Sequence, residues 1–245
     1  MSQSPAAMIF IGIDDTDTLD TPGTNQLARH LVRELADVVR GRIITRHQLL
    51  EDPRVPCTRK NGCAAIECEG VGDITIAGLA ARIRSLMLTW CPAGSDPGLC
   101  IATSPVPNAV IEFGRQCQRR LVSQAEARDL AAKNGIHLEG LGGTQDGVIG
   151  ALAAVGLMNT RNDGRVVYLG SAGVDHFDIT GIHGVDAILA NGVDEVRCVT
   201  TSQRVTAGTV DVGKRLRPNY RSGRVVLYVS LLIGEASDWR AERIV

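Results

Sequence analysis

The apolar run Met8 to Ile13 empties directly into Asp14-Asp15-Thr16-Asp17, with Thr18, Asp20, Thr21 and Thr24 close behind. This reads as a buried strand that opens into an acidic loop. Three carboxylates crowded at a strand end repel one another unless a cation or basic groups compensate them. Hard oxygen donors at such a junction suit Mg²⁺, which takes one or two carboxylates and completes its shell with water and substrate phosphates. An acidic helix-entry loop, in which Asp and Thr cap the following helix, is the competing reading of the same residues.

The setting comes from bulk properties. A chain of 245 residues can bury one large core or two small ones. A formal net charge of −1 leaves no global basic footprint for extended nucleic-acid binding, and 3% aromatic residues are too few for a base-stacking platform. The seven cysteines form no C-x-x-C pair and are odd in number, which argues against a zinc ribbon or a fully paired disulfide framework. No basic region precedes a cleavable apolar stretch, and no apolar run approaches the ~20 residues that span a bilayer. A cytoplasmic protein with reduced thiols and no membrane partner is expected.

Periodicity and breakers lay out the elements. A strand at 8–13 is followed by a helix from Thr24 to about Val39, with Leu27, Leu31, Leu35 and Val38 on one face. Strands follow at 42–50 and 63–68, a helix at 77–90, a connection rich in Pro and Gly at 91–98, and a strand at 99–103. Ser123-Gln124-Ala125-Glu126 is a capping box for a helix that stops at Asn134-Gly135. After the turn at Asn162-Asp163-Gly164 the rhythm changes to strand 165–169, helix 185–190, strand 195–200 and strand 224–233. That order suggests a ferredoxin-like unit. The apolar strand at 225–233 reads as core, with a homodimer interface as its other use.

Two further segments carry chemistry. Gly140-Leu141-Gly142-Gly143-Thr144-Gln145-Asp146-Gly147 runs into a helix of small residues, Val148 to Gly156, and its amides are placed to approach an anion. The loop matches neither the P-loop nor the dinucleotide fingerprint, and its glycines serve close helix packing equally well. Arg46-His47-Gln48 and Pro53-Arg54-Val55-Pro56-Cys57-Thr58-Arg59-Lys60-Asn61-Gly62 gather cations and amides on an extended segment that can grip phosphate oxygens. His47 reads as supporting or structural, and Cys57 and Cys63 as structural.

Three phrases, Gly12-Ile13-Asp14-Asp15-Thr16-Asp17, Pro53-x-x-Pro56-x-Thr58-Arg59-x-Asn61-Gly62 and Ile149-Gly150-Ala151-Leu152-Ala153-Ala154, occur in this order. In this the chain resembles the archaeal tRNA(Ile) 2-agmatinylcytidine synthetases, over about 1–160 and more faintly beyond. The resemblance implies an ATP-hydrolysing, kinase-type domain that uses Mg²⁺, phosphorylates a cytidine carbonyl oxygen and a threonine after the acidic motif, and lets agmatine displace the phosphate. Counted from the acidic motif, Thr24 falls on that threonine. The family's Gly-Met-Cys before it reads Thr21-Pro22-Gly23 here, its second threonine is Asn25, and its Asn-Gly-Arg-Gly phrase is Thr144-Gln145-Asp146-Gly147. The family continues into an OB-fold and a zinc ribbon that hold tRNA. This chain shows neither, so tRNA is not expected to bind to it alone.

The expected fold class is α+β (mixed α/β), with a kinase-like mixed-sheet domain over 1–162 and a smaller ferredoxin-like α+β domain over 163–245. Asp14, Asp15 and Asp17 are the expected metal ligands and, with Thr24 and Arg59, the catalytic set. Thr16, Thr18, Arg46, Lys60, Asn61, Gly142, Gly143, Thr144 and Gly147 are assigned to nucleotide binding. The expected function is an ATP- and Mg²⁺-dependent phosphotransferase, or a ligase working through a phosphorylated intermediate, on an unidentified small-molecule or nucleoside-like acceptor. A nucleotide-binding regulatory subunit without turnover, and an RNA-modifying enzyme that needs a partner to hold RNA, are the alternatives.

Overall fold

A computed structural model describes residues 8–58, 60–170, 174–175, 178–233 and 236–244. The chain divides into two compact units, Met1–Thr160 and Arg161–Val245.

The first unit runs β1 (Met8–Asp14), α1 (Thr24–Glu34), β2 (Val39–Gln48), β3 (Gly62–Gly70), α2 (Ile76–Trp90), β4 (Gly98–Thr103), α3 (Asn108–Cys117), α4 (Gln124–Lys133), β5 (His137–Gly140) and α5 (Gly147–Asn159). Its sheet has the order β5-β4-β1-β3-β2, with each neighbouring pair antiparallel. The apolar run of β1 therefore occupies the middle of the sheet, and Ile9, Phe10, Ile11 and Ile13 are buried. Both faces of this strand are covered, so its apolar residues are continuous rather than alternating.

Side chains two apart on a strand share a face, so Gly12 and Asp14 point the same way. Helix α5 lies on that face: a Cβ added at Gly12 would stand 2.0 Å from the carbonyl oxygen of Ala151. Glycine at this position lets the helix axis approach the sheet. Eleven of the thirteen residues of α5 are buried, as expected of a helix that is apolar all round. Helices α3 and α4 pack against α5, while α1 packs over β2 and β3 and contacts α2.

Several boundaries differ from the sequence reading, each for a physical reason. Helix α1 ends at Glu34 rather than near Val39, because Val39 enters the sheet opposite Gly70 and a bulge between Gly41 and Ile43 absorbs the transition. Strand β5 has only half-buried residues and is defined by its ladder with β4, so its sequence carries no period. Helix α3, which follows two prolines, is likewise absent from the sequence expectations. The capping box at Ser123 and Glu126 is present with both of its reciprocal bonds, and α4 follows it.

The second unit comprises β6 (Arg165–Leu169), β7 (Val174–Asp175), β8 (Ile182–Gly184), α6 (Val185–Ala190), β9 (Glu195–Cys198), β10 (Thr209–Asp211), β11 (Asn219–Arg221), β12 (Arg224–Leu231) and β13 (Trp239–Ala241). Its strands follow the order β6-β11-β12-β13-β10-β8, with β7 beside β6 and β9 beside β12. The pairs β9·β12 and β10·β13 are parallel. Among the described residues this unit holds one α-helix, of six residues, where a ferredoxin-like arrangement has two helices. Strands of two or three residues, β7, β8, β10, β11 and β13, are too short to show periodicity. Val225, Val226, Leu227 and Val229 of β12 are buried in the core, whereas Leu231 and Ile233 at the end of the predicted segment are exposed.

No helix among the described residues is long and apolar enough to cross a membrane.

Candidate functional site

A cavity of about 250 Å³ opens at the C-terminal end of β1. Five carboxylates line it: Asp14, Asp15, Asp17, Asp96 and Asp146. Three come from the acidic motif. Antiparallel pairing brings in the fourth: Asp14 faces Gly98 across the β1–β4 ladder, so the residues just before β4, Asp96 among them, meet the loop that leaves β1. The fifth is the N-cap residue of α5, the helix that lies on β1.

Burial and mutual repulsion set the protonation of this floor. Desolvation, followed by the charge of Asp15, pushes the carboxyl of Asp14 up to about 7. Desolvation, followed by the charges of Asp96, Asp17 and Asp146, pushes Asp15 up to about 6. Asp15 also sits at φ 51°, a backbone region that aspartate enters more readily than most residues. The carboxylate of Asp14 is pressed against α5: a Cβ added at Gly150 would stand 1.8 Å from its Oδ2. The small residues of the Gly150-Ala151 segment thus serve packing and make room for an acid.

Thr24 stands in the cavity wall. It does not cap α1; the N-cap position is Gly23, which makes no side-chain cap bond. Its hydroxyl accepts from the Thr16 hydroxyl at 3.1 Å and donates to Asp17 Oδ1 at 3.3 Å. Thr16 is fully buried and positions Thr24 from beneath. The Thr58 hydroxyl donates to the backbone oxygen of Asp17, which ties the 53–62 segment to the acidic loop.

Cations line the cavity as well. Arg54 pairs with Asp52, Lys60 with Glu51 and Arg120 with Glu126. Exposed pairs such as Lys60–Glu51 and Arg120–Glu126 contribute roughly 0–1 kcal/mol, so a phosphate can displace the carboxylate partner at little cost, whereas Asp52 holds Arg54 through two parallel bonds. The site therefore has an acidic floor and a cationic rim, a layout suited to a cation bound to an oligophosphate.

The structure gathers part of the expected set and leaves part outside. Asp14, Asp15, Asp17, Thr24, Lys60, Asn61 and Gly147 line the cavity; Gly142, Gly143 and Thr144 do not. In the glycine-rich loop, the amide and hydroxyl of Thr144 both donate to the Asp96 carboxylate, so an aspartate takes the place expected for a phosphate. The amide of Thr18 donates to Thr21 Oγ1. Arg46 donates to Gln48 and lies against Gly62, a lining residue, without lining the cavity itself, and its charge lowers the pKa of Asp14. Asn61 donates its side-chain amide to the Leu50 carbonyl and so braces the loop that forms this wall. His47 is buried and bonded to Thr45, a structural role. Cys63 is likewise buried, whereas Cys57 is exposed and lines the cavity. Arg59 lies outside the described residues.

Among the described residues, no three His, Cys, Asp or Glu side chains are grouped to hold a metal ion. The donor set still fits Mg²⁺, which needs only one or two carboxylates, and a cation would relieve the repulsion that raises Asp14 and Asp15.

Asp146, which the sequence reading left within the glycine-rich loop, and Asp96, Arg120, Cys117, Leu121 and Val122, which no motif singles out, line this cavity as well. The last four depend on α3 and the turn after it, which the Cys117 carbonyl and the Gln118 amide bind to the end of β2. The one local hint to Asp96 is a carboxylate in an otherwise Pro/Gly/Ser-rich connection.

No family model matches the chain. It is 25% identical over 167 residues to TiaS of Methanopyrus kandleri, a tRNA 2-agmatinylcytidine synthetase, covering 67% of this chain and 37% of that enzyme. It therefore spans little more than a third of that relative's length. The crystal structure of a TiaS–tRNA–ATP complex shares its fold over 61% of this chain and 36% of that one, with a TM-score of 0.53 and 22% identity. A TiaS–tRNA–AMPCPP–agmatine complex covers the same shares, with a TM-score of 0.52 and 22% identity. The chain resembles a TiaS-like domain in fold and in sequence.

Proposed function

We propose that the cavity binds ATP with Mg²⁺ and transfers the γ-phosphoryl group, making the chain an ATP-dependent phosphotransferase or the activating part of an ATP-dependent ligase. The observation that carries this reading is the Thr24 hydroxyl donating to Asp17 in the wall of a cavity with an acidic floor and a cationic rim. The TiaS complexes that share the fold contain ATP or its analogue, which supports a nucleotide in this cavity.

Asp14 and Asp15 would hold Mg²⁺, which when bound neutralises charge on the β- and γ-phosphate oxygens. Lys60 and Arg120 exchange their carboxylate partners for phosphate oxygens. Thr24 Oγ1 attacks the γ-phosphorus, the bond to the β-bridging oxygen breaks, ADP leaves, and the hydroxyl proton passes to Asp17 Oδ1. Thr16 donates to the Thr24 oxygen and holds it beside Asp17. Little covalent assistance is needed, because phosphoryl transfer is catalysed chiefly by positioning and charge neutralisation.

The phosphoryl group then goes to water or to an acceptor oxygen. The solved relatives contain tRNA and, in one complex, agmatine, which makes a nucleoside carbonyl in RNA the first acceptor to test and a small molecule the second. The test is incubation with γ-labelled ATP and Mg²⁺, with and without tRNA and agmatine. Label on the protein that Thr24→Ala abolishes, or phosphate release that Asp15→Asn abolishes, supports transfer. ATP binding without either product favours a regulatory nucleotide site, and failure of ATP to bind removes the reading altogether.

A further inference from the structure

The second unit has a cleft of its own, of about 480 Å³. Strands β10 and β13 pair in parallel, with Asp211 opposite Arg240, so both chains leave the sheet on the same side. Lys214, Arg215 and Arg217 come just after β10, while Arg240 lies in β13 and Arg243 just beyond it. All five line the cleft. Antiparallel pairing would have sent the two cationic segments to opposite ends.

Both segments are held in place. The amide of Leu216, a buried residue between the arginines, donates to the Ile179 carbonyl. On the other side, the Glu242 amide donates to the Tyr228 carbonyl, and the Asn219 side-chain amide donates to the Ile244 carbonyl at 3.0 Å. The two acids that share the cleft face protein donors: Asp211 accepts from the Gly213 amide and Glu242 from the Ser230 hydroxyl.

Solvated surface arginines are commonplace, and two features separate this group from them. The Nε of Arg217 is buried with no hydrogen-bond partner, and a buried donor left unpaired is costly. The charge of Arg217 is further disfavoured by desolvation, and then by Arg243 and Arg215. A fold that spends stability on converging like charges has that cost returned when an anion binds. Guanidinium forks match phosphate oxygens in particular.

We propose that this cleft is a second phosphate-binding site, separate from the ATP cavity, that takes two or more phosphate groups of one ligand. Lys214, Arg217 and Arg243, with the size of the cleft, exceed the needs of a single phosphate. Consecutive phosphodiesters of a single-stranded RNA and a free inorganic polyphosphate present the same chemistry, and the experiment tells them apart.

The full chain, with its ATP cavity saturated by Mg²⁺–ATP analogue, is titrated with a fluorescent 12-nucleotide RNA and, separately, with inorganic tripolyphosphate, each across a salt series. The comparison is with Arg217→Gln/Arg243→Gln. Because these residues repel each other, the double variant is expected to melt no lower than the parent; Arg217→Lys, which keeps charge but loses the fork, is the second control. For single-stranded RNA, loss of two phosphate contacts reduces the slope of log K on log salt by about 1.4 and weakens binding at low salt about tenfold or more. Arg217→Lys falls between. RNA binding with this behaviour identifies phosphodiesters as the source, and tripolyphosphate binding with the same variant dependence identifies free polyphosphate. Binding of neither probe, or binding that the double variant leaves unchanged, overturns the proposal. ATP affinity and label transfer at Thr24 are unaffected by these variants, so failure here is distinguishable from failure of the ATP reading.

Discussion

At the scale of single residues, the informative fact is that Asp14 and Asp15 hold protons more tightly than ordinary carboxylates. For Asp14 the folded value is about 7 against an ordinary 3.8, so between these values the folded state binds the extra proton. The contribution of Asp14 to stability is therefore greatest below about pH 4, falls as pH rises toward 7 and is level above it. In the protein without ligand, Asp14→Asn is expected to stabilise the fold at pH 8 by ~2–4 kcal/mol and to change little at pH 4. Thermal melts of the two proteins at both pH values check this. Equal effects at both would mean that Asp14 is not repelled and desolvated as described. Mg²⁺ is expected to raise the melting temperature of the parent more at pH 8 than at pH 5, with Asp14→Asn losing most of that response. Thr24→Ala tests a different property: it removes the hydroxyl proposed to accept the phosphoryl group and one wall contact, so label on the protein should vanish while the far-ultraviolet spectrum is preserved.

Elements place these residues. The approach of α5 to β1 rests on glycines at Gly12 and Gly150, where an added methyl would meet the Ala151 carbonyl oxygen and the Asp14 carboxylate. Gly12→Ala and Gly150→Ala are each expected to cost ~1–3 kcal/mol through overpacking, and Gly150→Ala also displaces Asp14 and lowers ATP affinity. At Gly23, whose Cβ position is 3.6 Å from Asp17, the same change is expected to be nearly silent. Denaturant melts with ATP titrations on the three variants separate packing from site geometry. Removing the reciprocal cap with Ser123→Ala is expected to cost ~1 kcal/mol in the same melts. Much of this level is legible in the chain itself. The capping box predicts α4, the small-residue run predicts a buried α5, and the apolar run into Asp14-Asp15 predicts the site-bearing strand. Helix α3 and strand β5 are not legible, since one follows prolines in a mixed stretch and the other is defined by its pairing with β4.

The whole molecule carries two charged concavities, one in each unit, with opposite character: acidic at its floor near β1, cationic beyond β10 and β13. Their ligands should leave separate footprints. In amide hydrogen exchange, Mg²⁺–ATP is expected to slow exchange in β1, α1 and the start of α5, and the RNA or polyphosphate probe to slow it around 211–217 and 240–243. A single footprint shared by both ligands would contradict the existence of two sites. The net charge of −1 conceals this arrangement, because a sum over the chain carries no information about where charges converge.

What the sequence determined alone was local. Asp14, Asp15, Asp17 and Thr24 lie within eleven residues of one another, and their chemistry follows from side-chain type and from the strand that precedes them. What only the tertiary structure decided was which distant groups join them. Asp96 arrives through the β1–β4 register, Asp146 through the packing of α5, and Arg120 through a helix whose end is bonded to the end of β2. The same holds for the arginines of the second cleft, which parallel pairing of β10 with β13 brings together from segments more than twenty residues apart. Strand pairing and close packing act between residues far apart in the chain, and periodicity and capping, which act within a few residues, carry no record of those partners.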